Sequence, residues 1–498
     1  MVFSSQVFLF FFLPLTLCLY YATPWRGKHL VLTVLSYVFY SWANPLFVAL
    51  LFTSTLVDYV CALRIANSGP IWLAHLIRRD DLVAQWSHPI RVVTPATQRN
   101  RTQRWACIIS ICTNLSLLGF FKYFNFALDN LSALSEILNL PWRDIDLALR
   151  ITLPLGISFY TFQSMSYTID IYRGRAAALR NFVDFSCYVS MFPQLVAGPI
   201  IRFTEVADQI KHRSHTLSKA SRGIALFSVG LAKKVLIANP CGRIADIVFD
   251  AGSITAIDAW YGTIAYAFQI YFDFSAYSDM AIGLGLMLGF VFPKNFDSPY
   301  KAVSITDFWR RWHISLSSWL RDYLYVPLGG NRLGALRTYR NLFMVMILGG
   351  LWHGAAWNFL IWGALHGVLL VIERLNKQNP FYASAPKPLA ILLTFLSVLI
   401  TWVFFRATDV SHALSILSSM FGLTNPEVTA TLVSGVLYQP YYLLTFTLAG
   451  IITWGAPQAW EWTQNITRSK GIIVILLLLI SIALLSTQAY NPFIYFIF

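Results

Sequence analysis

The sequence predicts an all-α, polytopic membrane protein, and three observations support this fold class. Hydrophobic residues make up 57% of the 498 residues. Charged residues make up only 12%, about half the share that is usual in soluble globular domains. Aromatic residues, which are part of this hydrophobic share, make up 16% of the chain. Trp and Tyr favour the two membrane–water interfaces. Together these values exclude soluble enzymes, disordered chains and fibrous proteins.

Eleven stretches are long and apolar enough to be membrane-spanning helices, which need about 20 mostly apolar residues each. They cover residues 4–21, 29–44, 45–66, 105–121, 151–171, 223–240, 259–292, 340–372, 388–405, 436–456 and 471–490. The stretches 259–292 and 340–372 are long enough to be bent or broken. Tandem repeats and low-complexity tails are absent from the sequence, so we expect residues 1–498 to form a single integral-membrane domain.

Charged loops predict the orientation of these helices. The formal net charge is +14, and because cytoplasmic loops collect Lys and Arg, this excess does not point to nucleic acid. The turn with Arg26 and Lys28 and the loop 67–104 are basic and should be cytoplasmic, which leaves the N-terminus outside. Loop 122–150 is net acidic and fits the opposite face, and the basic region 293–340 should lie at the cytoplasmic surface.

The apolar stretch 182–200 does not fit a simple span, because another basic loop follows it at 202–222. Pro193, Gly198 and Pro199 disfavour a regular helix here. Irregular backbone at membrane depth is tolerated where protein or a cavity surrounds it. We therefore predict a re-entrant element that lines a cavity.

The segment around His313 has the pattern of an amphipathic helix. Thr306 can cap its start, Asp307 suits the first turn, and Pro327 with Gly329 ends it. One face carries Trp309, Trp312, Leu316, Trp319, Leu320 and Tyr323. We predict that this helix lies in the cytoplasmic interface with His313 at the edge between its two faces. His313 is then either an interfacial side chain or a site residue that faces a polar opening.

A second histidine, His353, occupies a stretch without charged side chains. Residues 344–370 contain no Asp, Glu, Lys or Arg, so His353 is expected well inside a spanning helix. Ionisable groups at this depth face an interior or a cavity. Its neighbours Gly349, Gly350 and Gly354 serve either close helix packing or the approach of a substrate. Because imidazole exchanges protons near neutral pH, we expect His353 to be a general base for acyl transfer to an alcohol.

Other polar residues leave alternatives open. Asp273 and Asp279 lie in an apolar stretch and could carry protons or cations in a transporter, although such residues more often accept hydrogen bonds from neighbours. Lys233 and Lys234 need polar partners within 223–240. We treat His366 as structural. The six cysteines lack metal-binding spacing, so the sequence indicates no metal site, and it assigns no cofactor-binding residues.

Five long motifs resemble the membrane-bound O-acyltransferase family, and its bacterial alginate O-acetyltransferase branch in particular. The two histidine motifs are FWRRWHISLSSWLRDYLYVPLGGNR (308–332) and GGLWHGAAWNFLIWGALHG (349–367). The other three are YTFQSMSYTIDIYRG (160–174), MFPQLVAGPIIRF (191–203) and PKNFDSPYKAVSITDFWRRWH (293–313). The resemblance covers residues 150–375, and the paired histidines of the family correspond to His313 and His353.

This resemblance implies a ring of about 11 transmembrane helices, with re-entrant and interfacial helices, around a transmembrane tunnel. It implies catalytic roles for His353 and His313, and a donor such as acetyl-CoA or a similar cytoplasmic thioester. The acetyl group would cross the bacterial inner membrane to O-acetylate an exopolysaccharide, with alginate as the leading acceptor. A periplasmic acetyltransferase or polysaccharide-secretion proteins would be partners. Acetylation of another polymer such as cellulose, or a transporter or flippase, remain alternatives.

Overall fold

The computed structural model describes residues 1–67, 90–91, 98–139, 150–377, 379–488 and 490–493. The chain folds as two compact units, the first formed by Met1–Thr216 with Gly285–Phe292 and the second by Leu217–Leu284 with Pro293–Phe498. Most of the predicted basic loop 67–104, and residues 140–149 of the predicted acidic loop, lie outside the described residues.

The first unit is built from helices of very different lengths. In chain order they are α1 Phe8–Ala22, α2 Lys28–Ser41, α3 Leu46–Ile65, α4 Arg101–Ile137, α5 Ile157–Tyr172, α6 Phe182–Ser190, α7 Phe192–Leu195 and α8 Phe203–Lys211. Two-residue strands at Ile90–Arg91 (β1) and Ala177–Ala178 (β2) pair antiparallel. A fully buried carboxylate at Asp58 joins α3 to α4 by accepting hydrogen bonds from Ser110 at 2.6 Å and Asn114 at 2.8 Å.

Helix α4 is much longer than predicted. The apolar stretch ends near residue 121, but the helix continues to Ile137 and contains 37 residues. Asn100 caps its start in a reciprocal arrangement with Gln103. At 1.5 Å per residue it is about 55 Å long, which exceeds the roughly 30 Å hydrocarbon core. Residues 122–137, which were predicted to be part of a loop, therefore belong to the helix, and the prediction was wrong for them.

The stretch 182–200 is broken, as its prolines and glycine predicted. Helix α6 ends at Ser190, α7 covers four residues, and the chain then runs without regular structure to Arg202. The break is buried, and the Phe192 N–H donates to the Ser36 hydroxyl of α2 at 3.0 Å. Its placement as a re-entrant membrane element remains a prediction.

The second unit contains the histidine motifs and most of the long helices. Its helices are α9 Leu217–Phe249, α10 Ala256–Met287, α11 Ile305–Arg311, α12 Ile314–Leu320, α13 Ala335–His353, α14 Trp357–Leu375, α15 Lys387–Arg406, α16 Val410–Met420, α17 Thr429–Leu437, α18 Pro440–Gly455, α19 Ala459–Trp462 and α20 Arg468–Thr487. The predicted stretch 259–292 is one continuous helix, α10, whereas 340–372 is broken into α13 and α14.

Within the described residues, six helices are long and apolar enough to cross a membrane, or seven if the bent pair α17 and α18 counts as one span. The six are α3, α4, α9, α14, α15 and α20. The chain is therefore an all-helical, multi-pass membrane protein, as predicted. The count of eleven spans and their arrangement as a ring around a tunnel remain predictions.

Candidate active site

His313 lies at a break between two short helices. Helix α11 ends at Arg311 and α12 begins at Ile314, and His313 between them has the left-handed backbone angles φ 43° and ψ 55°. Its side chain is fully buried. The prediction of one continuous amphipathic helix with an interfacial His313 was therefore wrong. Local periodicity could not reveal the break, because the loop 293–298 holds it through tertiary hydrogen bonds.

The start of α11 is fixed by a side chain from α14. The buried Glu373 carboxylate accepts hydrogen bonds from the Ile305 N–H at 2.6 Å and the Thr306 N–H at 2.9 Å. A carboxylate there also complements the positive end of the helix. The cap is Ser304, whose hydroxyl accepts from the Asp307 N–H at 3.0 Å, and not the predicted Thr306.

The His313 ring is enclosed by aromatic and amide side chains. Its Nδ1 lies 3.2 Å from Asn295 Oδ1. Phe274 of α10 meets the ring edge-on at 4.6 Å between centroids, and Trp352 of α13 lies at 6.0 Å. Burial lowers the pKa of His313 from its ordinary value near 6.5 to about 3. The imidazole is therefore neutral at physiological pH.

His353 is the last residue of α13 and lies at the turn of a helical hairpin. It was predicted well inside a spanning helix, but α13 ends there and α14 starts at Trp357, so the stretch 340–372, which was long enough to be bent or broken, is broken at His353. Glycines allow the two helices to pack closely. A Cβ on Gly350 would lie 2.3 Å from the Phe359 carbonyl oxygen, and one on Gly363 would lie 2.4 Å from that of Met346. Gly350 therefore serves helix packing, one of the two roles considered for the glycines near His353.

Aromatic rings fix the orientation of His353, which is 7% exposed. Trp352, Trp362 and Phe405 all contact it edge-on, with centroid distances of 4.9, 5.2 and 5.2 Å. The ring also lies at the carboxyl end of α13, where the helix dipole favours positive charge.

A small cavity touches His353. Its volume is about 110 Å³. Gly349 and Leu320 are neighbours in its lining, and a Cβ on Gly349 would lie 3.6 Å from Leu320 Cδ1. It is lined by Trp309, Leu316, Ser317, Leu320, Val345, Met346, Gly349, His353, Trp362 and Leu370. The imidazole is the one titratable group among these lining residues. His313 does not belong to this set and is separated from His353 by Trp352.

His366 hydrogen-bonds through both of its nitrogens. Its Nδ1 accepts from the Trp309 indole N–H at 3.3 Å, and its Nε2 lies 3.0 Å from the Thr401 hydroxyl. That hydroxyl donates to the Val398 carbonyl oxygen, so it accepts from His366 Nε2–H. His366 thus links α11 to α15, which supports the structural role expected for it.

Asp273 and Asp279, two buried aspartates of α10, are paired with Lys234 and Lys233 of α9. Lys233 Nζ lies 2.7 Å from Asp279, and Lys234 Nζ lies 2.8 Å from Asp273. Each lysine therefore has a buried carboxylate as the polar partner that its position required. The neighbours that bind these two aspartates are therefore lysines.

Asn295 and Trp352 were not predicted as site residues, although both lie in the motifs that resemble the acyltransferase family. Asn295 follows Pro293 and Lys294 in a loop, and its spacing of 18 positions from His313 carries no local signal. Trp352 directly precedes His353, but in a continuous helix it would point away from His313. Only the two helix breaks bring these residues together.

Comparisons with known proteins place the chain among membrane-bound acyltransferases. The membrane-bound O-acyltransferase family matches residues 173–408, which include both histidines. The "Probable alginate O-acetylase AlgI" of Azotobacter vinelandii is 42% identical over the full length of both chains. The protein of the same name from Pseudomonas aeruginosa is 45% identical over 90% of this chain and 81% of its own. The peptidoglycan O-acetyltransferase of Helicobacter pylori is 39% identical over 85% of this chain and 80% of its own.

Proposed function

Because the chain belongs to the membrane-bound O-acyltransferase family and is an O-acyltransferase, we propose that it O-acetylates an exopolysaccharide, with alginate as the leading acceptor. It takes the acetyl group from a cytoplasmic thioester such as acetyl-CoA and passes it across the bacterial inner membrane. A periplasmic acetyltransferase or secretion protein then delivers the group to the polymer. Full-length similarity to alginate O-acetylases supports this acceptor.

His353 is the general base of this reaction. The observation that carries the assignment is that its imidazole lines the apolar cavity among the histidine motifs. The imidazole accepts the proton of the acceptor hydroxyl as its oxygen attacks the thioester carbonyl, and the acetyl–sulfur bond then breaks to release the thiol. A positioned base of this kind contributes about 10²–10⁴-fold to the rate.

The cavity suits a short acyl group. Its 110 Å³ equal the volume of about three to four water molecules at roughly 30 Å³ each. An acetyl group fits this space. The lining is almost entirely apolar, which excludes water that would hydrolyse the thioester.

His313 assists His353 from behind Trp352. It positions the donor or relays protons, and its burial keeps it neutral, so it can accept and donate a hydrogen bond. In the purified protein, His313→Ala should lower the transfer rate strongly while the fold persists. Wild-type rates in this variant would remove His313 from the mechanism.

Another polymer is the second candidate acceptor, and one comparison favours peptidoglycan over the cellulose considered from the sequence. The Helicobacter pylori relative is named a peptidoglycan O-acetyltransferase and aligns over most of both chains. A transporter or flippase is disfavoured, because Asp273 and Asp279 are each held in an ion pair with a lysine.

Transfer from labelled acetyl-CoA by reconstituted protein tests the proposal, with alginate, peptidoglycan and cellulose supplied singly and the periplasmic partner added in a second series. We expect label on alginate and none with the His353→Ala variant. Label on another polymer alone would change the acceptor. Label that does not depend on His353 would overturn the catalytic assignment.

A further inference from the structure

The site contains an amide that settles which nitrogen of His313 carries the proton. We propose that Asn295 is a positioning residue that holds His313 as the Nδ1–H tautomer and directs Nε2 as the hydrogen-bond acceptor. This inference rests on the role proposed for His313 in acyl transfer. It assigns a function to a loop residue outside the two histidine helices.

The orientation of the Asn295 amide follows from its backbone neighbour. The Ser315 N–H, which can only donate, lies 3.1 Å from Asn295 Oδ1, and the Ser315 hydroxyl lies 2.9 Å from the same oxygen. The atom that faces His313 Nδ1 at 3.2 Å is therefore the amide oxygen. An oxygen acceptor requires a proton on Nδ1 of the neutral imidazole.

Asn295 is itself held from two sides. It is 1% exposed, and its Nδ2 donates to the Ser278 hydroxyl of α10 at 3.2 Å. Its backbone carbonyl accepts from the Ile314 N–H at 2.9 Å. The amide therefore cannot rotate without losing several buried hydrogen bonds, each of which is costly to leave unmade.

The same contacts stabilise an unfavourable backbone. A non-glycine residue with positive φ is uncommon, and such conformations persist where the surroundings over-determine them. Asn295 bonds the backbone N–H groups of both residues that follow His313, Ile314 and Ser315. It thereby fixes the position of the ring as well as its tautomer.

Several charged groups on the neighbouring elements form ion pairs. Asp273 and Asp279 of α10 bind Lys234 and Lys233, and Asp307 of α11 binds Arg311 at 2.9 Å. In the same loop as Asn295, Asp297 lies 3.1 Å from Lys294. The ring itself contacts Phe274, Trp352, Asn295 and Ser315. A charge placed at position 295 would thus act on His313 directly.

The test compares pH profiles of acetyl transfer by Asn295→Asp, Asn295→Leu and wild-type protein in proteoliposomes. The Asp carboxylate accepts from Nδ1–H and also stabilises the imidazolium, so the acid limb of kcat should move to higher pH by at least about one unit. Asn295→Leu removes the acceptor, and kcat should fall at least about tenfold with little change in KM. Asn379→Asp, an exposed amide, is the charge-matched control and should keep the wild-type profile.

If Asn295→Asp does not fold, a milder substitution at Ser278 tests the same inference. Ser278→Ala removes the partner of Asn295 Nδ2, and kcat should fall severalfold while KM for the donor persists. An unshifted acid limb in Asn295→Asp, or wild-type kcat in Asn295→Leu or Ser278→Ala, would overturn the inference. These results remain separate from the proposed function, which fails only if His353→Ala retains transfer.

Discussion

Trp352 meets the His313 imidazole edge-on, with ring centroids 6.0 Å apart, and also meets the His353 imidazole edge-on at 4.9 Å. The indole therefore joins the two histidines that lie at separate helix breaks. His353 touches the cavity, whereas His313 is buried behind the indole. This arrangement is consistent with the different tasks proposed for the two residues, a general base at His353 and a supporting role at His313.

Replacing His353 by Gln should lower acetyl transfer about 10²–10⁴-fold, because glutamine keeps much of the volume but cannot take the proton. The measurement is single-turnover transfer from labelled acetyl-CoA in proteoliposomes. Protein abundance and the unfolding temperature should stay close to the wild-type values. Transfer within threefold of the wild-type rate would contradict a general base at this position.

Most helices were predictable from the sequence, but the positions of the breaks at His313 and His353 were not. Apolar stretches located most helices of both units, because burial in lipid requires a long run of apolar residues whatever the partners are. The breaks at His313 and His353 depend instead on contacts that are distant in sequence, such as Glu373 with Ile305 and Asn295 with Ser315. Periodicity assumes an unbroken helix and therefore missed the break at His313.

The site was predictable in composition but not in geometry. His353 in a charge-free stretch indicated an interior position, and the structure places it against a cavity. The role of Trp352 between the histidines, and the pairing of Lys233 and Lys234 with aspartates of α10, could not be read from spacing. Both depend on which helices are neighbours.

Two adjacent glycines should respond differently to alanine. Gly349→Ala should fold normally, since its Cβ would lie 3.6 Å from Leu320 Cδ1, an ordinary contact, and alanine favours helix by about 1 kcal/mol. Gly350→Ala should be destabilised by about 1–3 kcal/mol, because its Cβ would lie 2.3 Å from the Phe359 carbonyl oxygen. Thermal unfolding in detergent measures both. Equal unfolding temperatures would show that the α13–α14 hairpin is packed differently.

Leu320→Ala should relax the selectivity for the acyl group. Leu320 lines the cavity, so its truncation makes room for propionyl or butyryl donors, and their kcat/KM relative to the acetyl donor should rise at least about tenfold. Leu348→Ala on the exposed side of α13 is the matched control. A ratio that changes equally in both variants would exclude the cavity as the determinant of acyl length.

Breaking one buried ion pair should destabilise the second unit strongly. Lys234→Met leaves the Asp273 carboxylate, which is 2% exposed, without its cation, at a cost of about 3–5 kcal/mol. The double variant Lys234→Met/Asp273→Leu should regain most of this loss, since no buried charge is left. The unfolding free energies of the single and double variants in detergent give the interaction free energy between Lys234 and Asp273. Additive losses would mean that the two residues act independently.

The burial of His313 should make the protein less stable in acid. In the unfolded chain His313 binds a proton near pH 6.5, whereas its pKa in the folded protein is about 3. Between these values the unfolded state holds more protons, so the free energy of unfolding falls as the pH falls, by up to about 1.4 kcal/mol per pH unit.

The variant His313→Asn should remove this contribution, because asparagine tolerates the left-handed backbone and does not titrate. Its unfolding free energy, measured in detergent from pH 7 to pH 4.5, should decline less steeply than that of the wild type. His212→Gln, at an exposed position, should keep the wild-type slope. Identical slopes for wild type and His313→Asn would mean that His313 becomes protonated in the folded protein, which a ring enclosed by Phe274 and Trp352 does not allow.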